Sequence, residues 1–175
     1  MGIPVATGTG CLDPTFEEVE IHPRFELAIA GTHPSFERLL AMTPLVGSPP
    51  PLNTPLGGVY LFSEGERHLY VGRSNRIRAR YFLHTRPGSR QNQASFAFKL
   101  AREATNRLEA TYTREGGRKH LATDVEFSAA FEMAKARIRR MEYRYVEEAD
   151  QTRQHLLESY VAIALGTPYN DFDTH

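Results

Sequence analysis

The sequence has very little cysteine, no tryptophan and no long apolar run. Its one cysteine, Cys11, excludes an intrachain disulfide and any zinc module built from several cysteines, as fits a reducing compartment. The longest apolar run, Tyr160 to Leu165, has six residues, whereas a membrane-spanning helix needs about 20. The amino terminus also lacks the charged and then apolar segments of a signal peptide. We therefore expect a cytoplasmic protein that does not enter a membrane.

The chain also has no net charge, because 21 Lys and Arg residues balance 21 Asp and Glu residues. A hydrophobic content of 41% and a charged content of 24% are ordinary for a globular protein and exclude disorder of the whole chain. At about 150 residues for a typical domain, 175 residues predict one domain.

The positive charges are concentrated in one segment. From Arg67 to Arg102 there are nine Lys or Arg residues and no Asp or Glu, so the remaining chain carries twelve cations against all twenty-one acids. Such a block is typical of a site for a phosphate backbone, although a solvated basic helix has the same composition. The candidate DNA-binding residues in this block are Arg73, Arg76, Arg78, Arg86, Arg90 and Lys99.

Proline and glycine divide the chain into two parts. Residues 1–56 predict an irregular arm with one short helix, which follows Ser35, and a proline-rich connector from Gly47 to Pro55. Residues 57–175 predict the compact domain. We interpret residues 108–123, which are polar and rich in turn-forming residues, as an exposed loop.

Hydrophobic periodicity within the compact domain predicts an α+β fold, with a small antiparallel sheet of about three strands flanked by helices. The expected strands are 58–62 and 67–71, joined as a hairpin, and 142–147. The expected helices are one that Ser74 or Asn75 caps and that runs to His84, then 96–107, 125–139 and 151–165.

The last helix carries a carboxylate at the edge of its apolar side. A helical wheel places Leu157, Val161, Ile163 and Ala164 in one broad apolar arc, with Glu158 at its margin. A surface glutamate whose stem lies on the core would show the same pattern. A single carboxylate can also suffice for Mg²⁺, which takes its other oxygens from water and phosphate.

Several polar residues follow one another in an ordered pattern. These are Gly58-Val59-Tyr60, Tyr70-Val71-Gly72, Arg80 ten residues after Tyr70, His84 one turn later, and then Glu158 and Asn170. The order and spacing resemble the GIY-YIG nuclease family over residues 57–170. Relative to that family the chain carries an insertion at about 108–140, and Arg73 stands where many members have lysine.

The resemblance implies hydrolysis of DNA phosphodiester bonds by an endonuclease that uses Mg²⁺ or Mn²⁺. It implies that Glu158 binds the metal and that Arg80 stabilises the charge of the transition state. Tyr60 or His84 would be the general base, and Tyr70 would orient the phosphate or the water. Asn170 would hold the architecture around the metal. Cleavage of both strands would need sequential nicking or a homodimer.

Two other classes of function remain open on the sequence. One is a non-catalytic nucleic-acid-binding module on the same fold, which would need the arginines but not Glu158. The other is an interaction protein, such as an inhibitor, that binds a partner through its acidic remainder. The sequence does not determine the specificity for DNA, the oligomeric state or the function of residues 1–56.

Overall fold

The computed structural model describes residues 21–108 and 117–170. The helices in these residues are α1 (Pro23–Ile29), α2 (Thr32–Ala41), α3 (Ile77–Thr85), α4 (Ser95–Ala104), α5 (Arg118–Leu121), α6 (Val125–Arg140) and α7 (Gln151–Leu165). The strands are β1 (Leu45–Val46), β2 (Gly58–Glu64), β3 (Arg67–Ser74) and β4 (Glu142–Glu147).

The strands form one antiparallel sheet in the order β1-β4-β2-β3. The predicted small antiparallel sheet with flanking helices is therefore confirmed, and its hairpin consists of β2 and β3. The sheet has four strands rather than about three, because Leu45 pairs with Tyr143 and adds β1 at one edge. A two-residue strand that directly follows Pro44 is too short to show an alternating pattern.

Helices cover both faces of the sheet. On one face an aromatic core, which includes Tyr60, Phe62 and Tyr143, packs with buried residues of α3, α4 and α6. On the other face an aliphatic core, which includes Val59 and Leu61, packs with buried residues of α2 and α7. This alternation along β2 follows from the period of two in a strand. The sheet is thus the middle of three layers.

The helix predicted in the arm is α2, and it begins earlier than expected. Ser35 was expected to precede the helix, but the N-cap is Gly31 and Ser35 lies buried inside the helix, where its hydroxyl accepts a hydrogen bond from Arg38. Leu39 is fully buried in the aliphatic core, so α2 is part of the packed body. Helix α1, which begins with Pro23, was not expected.

Two further predictions of local structure were wrong. Ser74 and Asn75 do not cap α3, because its N-cap is Arg76 and the Ser74 hydroxyl instead accepts a bond from the Arg76 amide in the preceding turn. The expected exposed loop at 108–123 contains α5, whose Leu121 is buried against the aromatic core. Residues 109–116 of that loop lie outside the described residues.

The final helix has the predicted bounds but not the predicted apolar arc. Helix α7 runs over Gln151–Leu165 and ends at Gly166, which adopts the left-handed conformation. Leu157 and Val161 are buried as expected, whereas Ile163 is 75% exposed. The predicted arc was too broad because α7 packs on the sheet through a narrow stripe of side chains. Some of its apolar residues, such as Ile163, lie outside that stripe.

The free edge of the sheet is covered by the segment that follows α7. The Asn170 carboxamide accepts a hydrogen bond from the Val71 amide at 2.8 Å and donates one to the Val71 carbonyl at 2.8 Å. The Tyr169 amide donates to the Leu69 carbonyl at 3.2 Å. Asn170 thus pairs with β3 as a strand would and protects an otherwise open edge.

A close approach between β2 and β3 requires glycine at position 72. The Tyr60 ring lies directly over Gly72, and a Cβ atom there would lie 2.4 Å from the Tyr60 hydroxyl oxygen and 2.5 Å from Cζ. Since both residues belong to the expected motif, the packing gives a physical reason for a glycine at this place.

We expect Gly72→Ala to displace the Tyr60 ring and to lower the free energy of unfolding by about 1–3 kcal/mol, as overpacking does. Urea denaturation measures the change. Gly88→Ala is the matched control, because an added Cβ at Gly88 meets nothing within 4 Å. Equal midpoints for Gly72→Ala and the unmodified protein would contradict the packing argument.

Candidate active site

Tyr60 is the centre of a buried polar network. Its side chain is 1% exposed, and its hydroxyl lies 2.9 Å from Nε2 of His84 and 3.1 Å from Nε of Arg80. Arg80 and His84 are four residues apart on α3, so they share the face of the helix that packs on the sheet. The structure therefore brings three of the predicted catalytic residues together.

Arg80 connects this network to the residues that follow α3. Its Nη1 donates to the Gln93 carbonyl at 2.8 Å, and its Nη2 donates to the Ser95 hydroxyl at 3.1 Å. The Tyr70 hydroxyl lies 3.4 Å from that same Ser95 oxygen. Tyr70, the fourth predicted residue, thus joins the network through Ser95.

The directions of the hydrogen bonds follow from the donors available. Arg80 can only donate, so the Tyr60 oxygen accepts from it. The Tyr60 proton then points to Nε2 of His84, and the proton of His84 lies on Nδ1. The hydrogen bonds around Tyr60 thus assign this tautomer to His84. Nδ1 is buried and has no hydrogen-bond partner among the described residues.

Burial keeps both groups of the central pair uncharged near neutral pH. Desolvation raises the pKa of Tyr60 far above its ordinary value, the Tyr70 charge adds to this rise, and Arg80 opposes it. Desolvation and the nearby Arg80 charge lower the pKa of His84 well below its ordinary value. A neutral phenol therefore donates to a neutral imidazole, and neither group is charged at rest.

Glu158 lies on the other side of β3, where it pairs with Arg73. Arg73 is opposite Val59 in the strand register, and Val59 faces the layer of α7. Nε of Arg73 lies 3.1 Å from Oε2 of Glu158, and both side chains are partly exposed. Burial raises the pKa of Glu158, while Arg73 opposes the rise. The Glu158 carboxylate is therefore held by Arg73, the residue that directly follows the expected Tyr70-Val71-Gly72 motif.

The two halves of the expected site are near each other but not bonded. The charge of Glu158 contributes to the raised pKa of Tyr60, after the larger effects of burial and Tyr70. Among the hydrogen bonds of the described residues, none joins Glu158 to the Tyr60 network. Asn170 belongs to neither half, since it binds the backbone of Val71.

The residues around Glu158 fit a metal ion only in part. Within residues 21–108 and 117–170, no group of three or more His, Cys, Asp or Glu side chains could hold a metal ion. One carboxylate fits Mg²⁺ when water and substrate phosphate supply the other oxygens. The donor set therefore fits a metal shared with a bound phosphate, and does not fit a metal held by protein side chains alone.

The six candidate DNA-binding cations differ in their surroundings. Arg76, Arg86 and Arg90 are exposed. Arg78 donates to the Pro50 carbonyl at 3.0 Å and Lys99 to the Tyr169 carbonyl at 2.9 Å, so both hold backbone segments in place. Together with Arg73, which pairs with Glu158, half of the set has a protein partner.

Helix α6, which lies in the predicted insertion, anchors the loop between α3 and α4, whose Gln93 carbonyl binds Arg80. Lys135 is 1% exposed, and its ammonium donates to the Pro87 carbonyl, to the Ser89 carbonyl at 3.2 Å and to Glu132 at 2.6 Å. Arg139 donates to the Thr85 carbonyl at 2.7 Å, at the end of α3. Arg139 thus satisfies a carbonyl that the end of α3 leaves without a partner, and Lys135 binds carbonyls of the loop that follows.

Sequence reasoning missed Gln93, Ser95 and Lys135. Gln93 acts through its backbone carbonyl, for which a side-chain pattern gives no signal. Ser95 begins α4, one residue before the predicted start. A lysine among apolar positions of α6 was a signal for Lys135, because a buried ammonium requires acceptors.

Comparison with models of known protein families, with curated proteins and with solved structures finds no match to this chain. The resemblance to the GIY-YIG family therefore rests on the motif residues. In the part of the chain that the structure describes, no helix has both the length and the apolar character needed to cross a bilayer.

We expect the stability of the protein to fall as the pH drops below about 6.5, the ordinary histidine pKa. Because the pKa of His84 is lowered in the folded state, the unfolded state binds the extra proton. The contribution is full above pH 6.5 and is lost below it, by up to about 1.4 kcal/mol per pH unit. Urea denaturation at pH 7.5, 6.5 and 5.5 measures it.

The control for this prediction is His84→Gln, whose amide does not titrate. The pKa of His68 is also lowered, by burial and by Arg144, but this residue is present in both proteins and its effect cancels. The variant should therefore show the weaker pH dependence. Parallel curves for the two proteins would show that His84 does not titrate with unfolding.

Proposed function

We propose that the protein is a metal-dependent endonuclease of the GIY-YIG kind that hydrolyses phosphodiester bonds in DNA. The observation that carries this proposal is the network of Tyr60, Arg80 and His84, in which a phenol has a hydrogen-bond acceptor on one side and a guanidinium on the other. A buried tyrosine hydroxyl needs one hydrogen-bond partner, which His84 supplies, so the guanidinium of Arg80 is more than packing requires. The segregated positive charge supports a polyanionic substrate.

The network supports a relay in which both candidate bases take part. The Tyr60 oxygen accepts a proton from the attacking water while the Tyr60 proton passes to Nε2 of His84. The water oxygen bonds to phosphorus, the bond to the 3′ oxygen breaks, and that oxygen takes a proton from solvent. Arg80 stabilises the negative charge that develops on the Tyr60 oxygen.

The relay requires the network to open toward the substrate and to water, since Tyr60 is almost fully covered and burial lowers the pKa of His84, which must take up the proton. The longest contact of the network is the 3.4 Å between the Tyr70 hydroxyl and the Ser95 oxygen. Tyr70 is also only partly buried. Movement of Tyr70 toward a bound phosphate would open the network with the loss of one weak hydrogen bond.

Glu158 is the residue that would hold Mg²⁺ or Mn²⁺ together with an oxygen of the bound phosphate. When bound, such an ion neutralises charge on the phosphate and on the leaving oxygen. In this proposal Arg73, which pairs with Glu158 at rest, also binds the phosphate of the substrate. A phosphate attracts its guanidinium as strongly as a carboxylate does, so substrate binding draws Arg73 away from Glu158.

The alternative is a non-catalytic nucleic-acid-binding module on the same fold. The covered Tyr60 hydroxyl and the paired Glu158 are the observations that favour it. The two functions differ in what removal of Glu158 does. If the protein is a binding module, removal of Glu158 leaves its DNA binding unchanged. If it is a nuclease, the same removal abolishes cleavage.

We expect the protein to nick supercoiled plasmid DNA with Mg²⁺ or Mn²⁺ but not with EDTA. Glu158→Ala should abolish cleavage and leave DNA binding unchanged, because it removes the metal ligand without removing a cation. The control is Glu147→Gln, which changes an exposed glutamate of β4 outside the site. Full activity of Glu158→Ala would refute the metal assignment, and salt-sensitive binding without cleavage would favour the binding module.

We expect Tyr60→Phe to lower the cleavage rate by at least about 100-fold, since general base catalysis supplies about that much. The relay also predicts a comparable loss in His84→Gln, which cannot store the proton. Single-turnover cleavage measures both rates, and urea denaturation confirms that both variants are folded. Near-normal cleavage by Tyr60→Phe combined with a large loss in His84→Gln would make His84 the base and refute the relay.

A further inference from the structure

Two arginines outside the site described above lie against the same aromatic ring. The guanidinium carbon of Arg102, on α4, is 5.5 Å from the centroid of the Phe98 ring. That of Arg118, at the start of α5, is 4.6 Å from the same centroid. Two like charges thus share one ring, each as a cation–π partner.

Neither guanidinium has a carboxylate partner among the described residues. Arg118 donates from Nη1 to the Gln91 carbonyl at 2.9 Å. The guanidinium of Arg102 makes no hydrogen bond or ion pair within residues 21–108 and 117–170, and its Nε is buried without an acceptor. Glu103, the next residue, instead accepts a bond from Tyr169.

A neighbouring arginine shows what compensation looks like in the same region. Arg107 lies 3.0 Å from Asp124 and 3.5 Å from Glu126, so the described acids nearby are already engaged. Burial and the charge of Arg118 lower the pKa of Arg102. Within the described residues the pair therefore carries a repulsion that no carboxylate compensates, and a bound anion would relieve it. Guanidinium donors match phosphate oxygens in charge and geometry.

The position of the pair connects it to the proposed active site. The Gln91 carbonyl that fixes Arg118 belongs to the loop between α3 and α4. Two residues later in this loop, the Gln93 carbonyl accepts the hydrogen bond from Arg80. The exposed Arg90 precedes Gln91. One short loop thus links the Tyr60 network to the Arg102 and Arg118 pair.

We propose that Arg102 and Arg118 form a binding site for a phosphate group, and that a backbone phosphate of DNA away from the cleaved bond occupies it. The site itself follows from the uncompensated pair on Phe98. Only the source of the phosphate rests on the proposed function. The site would hold the DNA backbone along α4 and extend the contact surface beyond the catalytic network.

The first experiment tests the site without DNA. Inorganic phosphate is titrated into the ¹⁵N-labelled full chain in EDTA, and the Nε–Hε signals of the arginines are followed by NMR. We expect saturable shifts of the Arg102 and Arg118 signals and their loss in Arg118→Gln. Arg24→Gln, which removes an exposed arginine of α1 on the opposite helix layer, should bind phosphate as the unmodified protein does. Absence of shifts at both residues would overturn the site.

The second experiment tests the source of the phosphate. Binding of a fluorescent 20-base-pair duplex is measured in EDTA by anisotropy over a range of NaCl concentrations. The slope of log K against log[NaCl] is negative, and loss of one phosphate contact should reduce its magnitude by about 0.9. We expect this change in Arg118→Gln and Arg102→Gln and not in Arg24→Gln. An unchanged slope in both variants would overturn the DNA assignment.

The two experiments separate this inference from the proposed function. Phosphate shifts without any DNA binding would support the pair as a phosphate site and would refute a DNA nuclease. DNA binding and cleavage with unchanged slopes would support the nuclease and refute the pair as a DNA contact. Phosphate shifts combined with a slope of smaller magnitude would support the pair both as a phosphate site and as a DNA contact, and the plasmid assay would still decide between the nuclease and the binding module.

Discussion

The guanidinium of Arg80 is the contact on which the arrangement of the site depends. Its three nitrogens bind oxygens from three different parts of the fold, the Tyr60 hydroxyl on β2, the Gln93 carbonyl in the loop and the Ser95 hydroxyl on α4. Burial alone would lower the pKa of Arg80, and the surrounding tyrosine oxygens more than offset this effect. A partly buried cation is stable here because each of its three nitrogens has an acceptor, and the same bonds fix the positions of all three elements.

Two supports hold these acceptors in place. On the sheet side, Gly72 leaves room for the Tyr60 ring, and Asn170 binds the amide and the carbonyl of Val71 on the edge strand beside it. On the helix side, Lys135 and Arg139 of α6 bind the carbonyls at the end of α3 and in the loop that follows. The segment predicted as an insertion therefore supports the site, and a disturbance of α6 would reach Arg80 through the loop.

The sequence predicts the elements whose signal is local and repeated. Strand β4 and helix α7 have the predicted bounds, because each shows several periods of its pattern and a clear stop. Strand β1 and helix α5 are too short to show a period. Of the site, the spacing of Arg80 and His84 predicts that they share a helix face, and the resemblance adds Tyr60 to them. The Gln93 carbonyl could not, since its role is set by the path of a loop and not by a side chain.

The separation of charge along the chain agrees with the arrangement of the site. The Tyr60 and His84 pair is neutral, so the resting network holds one charge, that of Arg80, and Glu158 is already balanced by Arg73. Under the proposed function, a phosphate that enters this site brings a negative charge for Arg73 and releases Glu158 for a cation. Metal and DNA would then favour each other's binding. DNA would draw Arg73 away from Glu158 and so free the carboxylate for the metal, and the metal would free Arg73 for the phosphate. The Arg102 and Arg118 pair would follow the same logic, since a phosphate at the proposed site would compensate two positive charges that have no carboxylate partner among the described residues.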